Sequence, residues 1–261
     1  MKIYHELAPY YDRFMSFIDY ETEAEAIYSF LCQQQQAKGR ILDIGAGSGG
    51  HLIPLLNKGV QVDGLDYAEE MLALLNAKIR REGFVSNLLH DDMRSFQTDA
   101  PYDVIYCFGE TIHHLSDTAE LTDFFHCAHQ SLKAGGSLLF SWREKSYFTE
   151  LTEYGEFYEH HGDDYLLWQA KVLENEAAAI AYTAFIKGEG KDDVYRRFRE
   201  THRLAVFDGE QILKAAQSAG FRPRPDLKSC FDDLLAEEPD KHITILEKVN
   251  EDGKFSQFIQ K

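Results

Sequence analysis

The chain is short of positive charge. Its 261 residues carry 27 Lys and Arg against 44 Asp and Glu, a formal net charge of −17 at pH 7. So acidic a chain repels phosphate backbones and anionic lipid headgroups, so neither nucleic acid nor a membrane surface is an expected partner. Long apolar runs are missing too. No stretch approaches the roughly 18 uncharged residues of a membrane-spanning helix, and Met1-Lys2-Ile3-Tyr4-His5-Glu6 lacks the apolar core of a signal peptide. Cysteine is scarce: Cys32, Cys107, Cys127 and Cys230 form no CxxC pair, which argues against a disulfide scaffold and for reduced thiols in the cytoplasm. What is present is ordinary globular material, 44% hydrophobic and 27% charged, sufficient to bury a large core rather than stay disordered.

Residues 1–38 read as a helical cap, with Ile27, Phe30 and Leu31 at helical spacing. From Arg40 the period changes. Short apolar runs at 41–44, 61–65, 87–90, 104–108 and 137–141 read as strands, and helical patterns at 49–57, 69–82 and 117–132 fall between them. That alternation predicts an α/β fold built of βαβ units, a doubly wound, mostly parallel sheet covered on both faces. After Trp142 it stops. Residues 165–173, 178–187 and 194–206 show patchy period-2 patterning, with Asn175 and Gly188-Glu189-Gly190 as turn signals, and predict a three-stranded antiparallel β insertion over 143–205. The α/β pattern resumes from 206 to 261, with Asp208 as N-cap, a helix over 210–219 stopping at Gly220, and closing strands at 221–227 and 242–249. Residues 39–142 and 206–261 therefore form one Rossmann-like domain.

The sharpest local signal is Asp43-Ile44-Gly45-Ala46-Gly47-Ser48-Gly49-Gly50, between the first strand and the first helix. Glycines there let the backbone turn tightly and let a ligand approach where a Cβ would collide. About twenty residues on, Asp66 ends the second strand, where a carboxylate accepts both hydroxyls of a ribose. Gly45, Gly47 and Gly50 satisfy GxGxxG, which alone leaves a bare turn, a dinucleotide and another nucleoside all open. Asp43, two positions before the first glycine, is awkward for a pyrophosphate but suits a ligand carrying an amino group and a sulfonium.

Residues 41–49 resemble the first motif of class I S-adenosylmethionine-dependent methyltransferases, and the likeness continues in register. Asp66-Tyr67-Ala68-Glu69-Glu70-Met71-Leu72 is similar to the second motif, whose acid holds the ribose and whose following residues, here Tyr67 and Met71, flank the adenine. His90-Asp91-Asp92-Met93 resembles the adenine motif. The resemblance implies that Asp92 accepts from the adenine amino group and that the Met93 backbone N–H reaches the ring. Residues 102–107, ending in Cys107, are similar to the fourth motif, and 132–137 to the turn before strand five. Leu7-Ala8-Pro9-Tyr10-Tyr11-Asp12 resembles the segment that caps the cofactor in small-molecule members, which places Tyr10 or Tyr11 over its methionine end. Family membership implies S-adenosyl-L-methionine as cofactor, held by Gly45, Ala46 and Gly47 at the methionine moiety, and a seven-stranded sheet with the last strand antiparallel.

Methyl transfer from a sulfonium is an in-line displacement with a good leaving group, so orientation and the acceptor's protonation state are what a protein supplies. Glu110, His113 and His114 follow the fourth strand at the carboxyl end of the sheet, where ligands of open α/β folds bind, and are the candidate catalytic groups. Loop histidines making structural hydrogen bonds are the competing account. His126 and His129 lie three apart on a helix, but no Cys or carboxylate completes a zinc-like set, so no metal is expected. Alternation puts Arg197, Arg199 and Arg203 on one face of the insertion's last strand and Arg196, Phe198 and His202 on the other. The aromatics Tyr147, Phe148, Tyr154, Phe157, Tyr158 and Trp168 either line an acceptor pocket or form the insertion's own core. The sequence thus predicts a cytoplasmic methyltransferase, monomer or homodimer, acting on a nucleophilic N or O of a small molecule, with 143–205 as lid. An NAD-type oxidoreductase and a catalytically silent S-adenosylmethionine binder remain the alternatives.

Overall fold

The computed structural model describes residues 3–173, 177–188 and 194–249; the turn positions Asn175, Glu189 and Gly190 lie outside them. The N-terminus is not the continuous helical cap that composition suggested. A 3-10 turn (Ala8–Tyr10) leads into a single turn α1 (Tyr11–Phe14), and only α2 (Tyr20–Gln33) is long. Pro9 sits in the first turn of that 3-10 segment, and Asp19 restarts the helix by accepting from the Thr22 N–H at 3.0 Å. Residues 3–19 therefore form a strap.

The alternation then runs β1 (Ile41–Ile44), α3 (Leu52–Asn57), β2 (Val62–Asp66), α4 (Glu69–Glu82), β3 (Leu88–His90), β4 (Tyr102–Cys107), α5 (Thr118–Ser131) and β5 (Leu132–Arg143). An excursion follows: α6 (Lys145–Tyr154), β6 (Glu156–His161), β7 (Asp164–Val172), β8 (Ala178–Lys187) and β9 (Tyr195–Leu204). The chain returns through α7 (Gly209–Ser218), β10 (Phe221–Pro223), a 3-10 segment (Pro225–Phe231), α8 (Asp232–Glu237) and β11 (Lys241–Lys248).

The main sheet has seven strands in the order β10-β11-β5-β4-β1-β2-β3, parallel except that β11 runs antiparallel to both β5 and β10. This matches the seven-stranded, doubly wound expectation. β1 is buried at every position, as a central strand covered on both faces must be. Leu42 and Ile44 face a core shared with Phe124, Phe125, Ala215 and Ala216 of α5 and α7, while Ile41 and its β4 partner Val104 face Ile27, Leu55 and Leu75 from α2, α3 and α4. With β4 on one side of β1 and β2 on the other, the crossovers diverge and leave a crevice at the carboxyl ends of these strands.

Among the described residues the insertion has four strands, not three, and a helix before them. β6 was missed because Glu156-Phe157-Tyr158-Glu159-His160-His161 is an edge strand with no buried residue, and so has no apolar alternation to read. On β9 the alternation held: Arg197, Arg199 and Arg203 are exposed, while Phe198, Glu200, His202 and Leu204 are buried. The inward face of this sheet packs on the strap, where Leu166, Ile180, Tyr182 and Phe198 meet Leu7, Phe14 and Met15. Among the described residues no helix is long and apolar enough to cross a membrane.

Candidate active site

A cavity of about 430 Å³ opens at the sheet's crevice, lined by the glycine turn on one side and the ends of β2, β3 and β4 on the others. Gly45 has φ 77°, and a Cβ there would lie 2.5 Å from the Thr111 side chain, so the turn tolerates only glycine. Its N–H and that of Ala46 donate to the Leu65 carbonyl at 2.8 and 3.0 Å, which locks the turn against β2. Asp66 sits at the tip of that strand. One carboxylate oxygen accepts the Gly47 N–H at 2.7 Å and the other accepts the Ala68 N–H at 2.8 Å. Burial raises its pKa, and these two backbone donors offset part of that rise.

Of the residues read from sequence as cofactor contacts, Tyr11, Gly45, Ala46, Gly47, Asp66, Tyr67, Met71, Asp92 and Met93 all line this cavity. Asp92 is engaged: the Arg94 side chain donates to it at 2.8 Å, and that hydrogen bond holds its carboxyl below the usual range. Two residues do not line it. Cys107 is fully buried among Leu42, Ile44 and Phe140, because alternation along β4 sends its side chain into the core and leaves Phe108 to reach the cavity. Tyr10 turns outward to stack on Phe198, 5.8 Å between ring centroids, with the Arg13 guanidinium 5.3 Å from its ring.

A second cavity, about 510 Å³, lies beneath the insertion sheet. It shares Tyr4, Tyr11, Tyr20, His51, Gly109 and His114 with the first, so the two meet at a neck made by the strap and the loop after β4. From the insertion come Phe157, Trp168, Tyr182 and His202, together with Tyr147 and Phe148 of α6; Tyr154 and Tyr158 point to solvent. Its floor is charged. Lys241 donates to Glu23 at 2.5 Å and to Glu238 at 3.0 Å, and Glu23 also pairs with His51 at 2.8 Å. Burial pushes the Glu23 carboxyl up, but the hydrogen bonds and charges of His51 and Lys241 outweigh it and bring the pKa down to about 2. Arg143 bridges Glu110, at 2.9 Å, and Glu238. Asp43 lies under the glycine turn rather than in either cavity; one carboxylate oxygen has no hydrogen-bond partner, and burial pushes the group up to about 7.

The three candidate catalytic residues separate. His113 is fully buried outside both cavities: its Nδ1 donates to the Ala205 carbonyl at 2.7 Å and its Nε2 accepts the Arg143 N–H at 3.0 Å. With both ring nitrogens committed to backbone, it positions β5 and has no free site for a proton; the catalytic reading of His113 is corrected. His114 does line the neck, where burial, with the neighbouring His202 and His113, lowers it to about 3 and keeps it neutral. Glu110 lines the second cavity in the left-handed region (φ 58°), a conformation strained for a residue with a Cβ, and is held by its ion pair with Arg143.

Sequence reasoning missed Tyr4, Tyr20, Glu23, His51, Arg143, Lys241 and His202 as cavity residues. Only His202 carried a usable signal, its place on the inward face of β9 with Glu200 two positions before it.

Residues 41–136 match the family described as "Methyltransferase domain". The chain thus carries a methyltransferase domain, and its fold is shared with S-adenosylmethionine-dependent methyltransferases. The putative methyltransferase YqeM of Bacillus subtilis (strain 168) is 28% identical over 221 residues, 84% of this chain and 87% of that protein. The dTDP-3-amino-3,6-dideoxy-alpha-D-glucopyranose N,N-dimethyltransferase of Streptomyces fradiae is 27% identical over 203 residues, 77% of each chain. Among solved structures, an S-adenosylmethionine-dependent methyltransferase from Clostridium acetobutylicum ATCC 824 superposes with a TM-score of 0.76 at 18% identity, covering 94% of this chain and 98% of that one. For a methyltransferase the NAD-type reading falls away.

Proposed function

We propose that the first cavity holds S-adenosylmethionine and the second a small molecule whose nitrogen or oxygen takes the methyl group at the neck between them. The observation that carries this is the ring of six residues common to both cavities, which brings two separate ligands into contact through one opening. The cofactor supplies an activated methyl group on a sulfonium. Gly45, Ala46 and Gly47 would hold the methionine end, with no Cβ in the way at the two glycines; Asp66 would accept from the ribose, Tyr67 and Met71 would flank the adenine, and Asp92 with Met93 would border its edge.

On the acceptor side the two full cations lining the second cavity, Arg143 and Lys241, are already bound by Glu110, Glu23 and Glu238. Asp19 and Glu237 add further negative charge to its lining. Such a lining favours a neutral or amine-bearing acceptor over a carboxylate or phosphate at the reacting end. The aromatic wall of Phe157, Trp168 and Tyr182 suits a ring-sized molecule, and the insertion 143–205 acts as its lid. The Streptomyces fradiae relative is named for an amino-sugar substrate, which agrees with an amine acceptor. We place the enzyme in the cytoplasm as a monomer or homodimer, without nucleic acid or membrane as partner, in keeping with its net charge of −17.

The test is direct. S-adenosylhomocysteine is titrated by calorimetry, and a panel of amino sugars, small amines and alcohols is incubated with methyl-labelled S-adenosylmethionine, with products read by mass spectrometry. Label on an amine or hydroxyl supports the reading; a chain that binds no S-adenosylhomocysteine overturns it.

A further inference from the structure

We propose that His202 is the general base of the transfer, taking the proton of the attacking nitrogen or oxygen on its Nδ1 while Glu200 holds the other side of the ring. The inference rests on the reading of the second cavity as the acceptor site.

His202 is 1% exposed and lines that cavity from the inward face of β9. Its Nε2 lies 3.4 Å from a Glu200 carboxylate oxygen, and a carboxylate only accepts, so that nitrogen carries the hydrogen. The tautomer is thereby set, and Nδ1 is left as a bare lone pair. It has no hydrogen-bond partner. A buried polar atom without a partner costs stability, and because His202 lines the cavity beside the neck, an acceptor N–H or O–H would complete it.

Glu200 is itself fixed. Besides His202 it accepts the backbone N–H groups of Glu6 and Leu7 at 2.5 and 3.0 Å, so the strap and the imidazole are held by one carboxylate. A carboxylate behind an imidazole both orients the ring and stabilises the imidazolium as it forms. The other titratable groups facing the ring are Tyr4, Tyr182 and His114, with centroids 4.4, 4.9 and 5.8 Å away. Burial raises both tyrosines, so they stay neutral, and His114 stays neutral as well. His113 has no free nitrogen. Of these histidines, His202 alone combines an open nitrogen with a carboxylate partner.

The step balances without a further reagent. The acceptor's lone pair forms the new C–N or C–O bond as the S–C bond breaks, and the sulfur keeps that electron pair as a neutral thioether. The acceptor N–H or O–H bond breaks with its electrons staying on the heavy atom. The proton passes to Nδ1, leaves an imidazolium–carboxylate pair, and is later lost to water.

Two measurements test this. In 15N-histidine NMR of the full chain with S-adenosylhomocysteine bound, His202 should show a protonated Nε2 and a bare Nδ1; a protonated Nδ1 overturns the proposal whether or not an acceptor has been found. In kinetics with whichever acceptor of the panel reacts fastest, His202→Gln keeps a donor toward Glu200 but has no basic nitrogen. Its kcat should fall by roughly 10²–10⁴-fold, the acid limb of the pH–kcat profile should vanish, and S-adenosylhomocysteine should still bind within about threefold. A merely structural role predicts that glutamine restores the rate and the acid limb persists, and that result refutes the base. Because His202→Ala alone would not separate misfolding from chemistry, the glutamine variant carries the test. Failure of the underlying reading looks different, since the wild-type chain would then bind no S-adenosylhomocysteine.

Discussion

Asp66→Asn is the sharpest probe of the cofactor assignment. The carboxylate already accepts two backbone N–H groups, from Gly47 at 2.7 Å and Ala68 at 2.8 Å, and has lone pairs left for the two ribose hydroxyls. Asparagine keeps the shape but removes the charge, and turns one acceptor oxygen into an NH2 that faces a backbone N–H. A hydrogen bond to a charged group is worth about 1.5–3 kcal/mol. Weakening two of them while the glycine turn stays in place should cost ~2–4 kcal/mol of binding, or roughly 30- to 1000-fold in affinity. Calorimetric titration with S-adenosylhomocysteine measures this, with a thermal melt to show the variant folded. The pH dependence gives a second readout. Burial raises the Asp66 pKa, so wild-type affinity should weaken as pH falls through that raised value, whereas the variant should lack this decline. A folded variant that binds within threefold of wild type would refute the ribose role.

Three further outcomes are expected. Gly45→Ala places a methyl 2.5 Å from Thr111 on a backbone with φ 77°, so S-adenosylhomocysteine binding should be lost in calorimetry while far-UV circular dichroism keeps its native form. Asp43 has its pKa raised to about 7 from an ordinary 3.8, so its contribution to stability is full below about pH 4 and lost as pH rises toward 7. Denaturant titrations should therefore show Asp43→Asn gaining on wild type by ~4 kcal/mol across that window; parallel curves would show that the buried acid is not carrying the shift. Glu23 is depressed to about 2, so its contribution is present above about pH 4.5 and lost as pH falls through 2. Glu23→Gln leaves Lys241 with Glu238 alone and should cost ~2–4 kcal/mol, read as a melting point lower by roughly 4–16 °C.

The parts of the fold that were legible in the sequence are those set by neighbours along the chain. α4 was read to the residue because Glu69 and Glu70 open it, Arg80 and Arg81 close it, and Gly83 ends it in the left-handed region. The glycine turn and Asp66 were legible because tight backbone geometry demands particular residue types at fixed offsets. Edge strand β6 was not, since nothing in it is buried. Neighbouring pairs also defeated local reasoning: Tyr10 and Tyr11, or Cys107 and Phe108, differ only in which way the backbone turns, and that is decided by packing. The second cavity was least legible. Its Glu23–Lys241 pair joins residues 218 positions apart, and its histidine is distinguished by an empty nitrogen rather than by a pattern.

The hold of Glu200 on Glu6 and Leu7 joins residues 194 and 193 positions apart along the chain. A nascent chain leaves the ribosome N-terminus first, and domains tend to fold as they emerge. Here the opening segment must wait, undocked, until the ninth strand has been made. Strand β11, which sits between β5 and β10, arrives later still. Translation therefore closes this cavity late: the strap that flanks its neck is made well before the strand that fastens it.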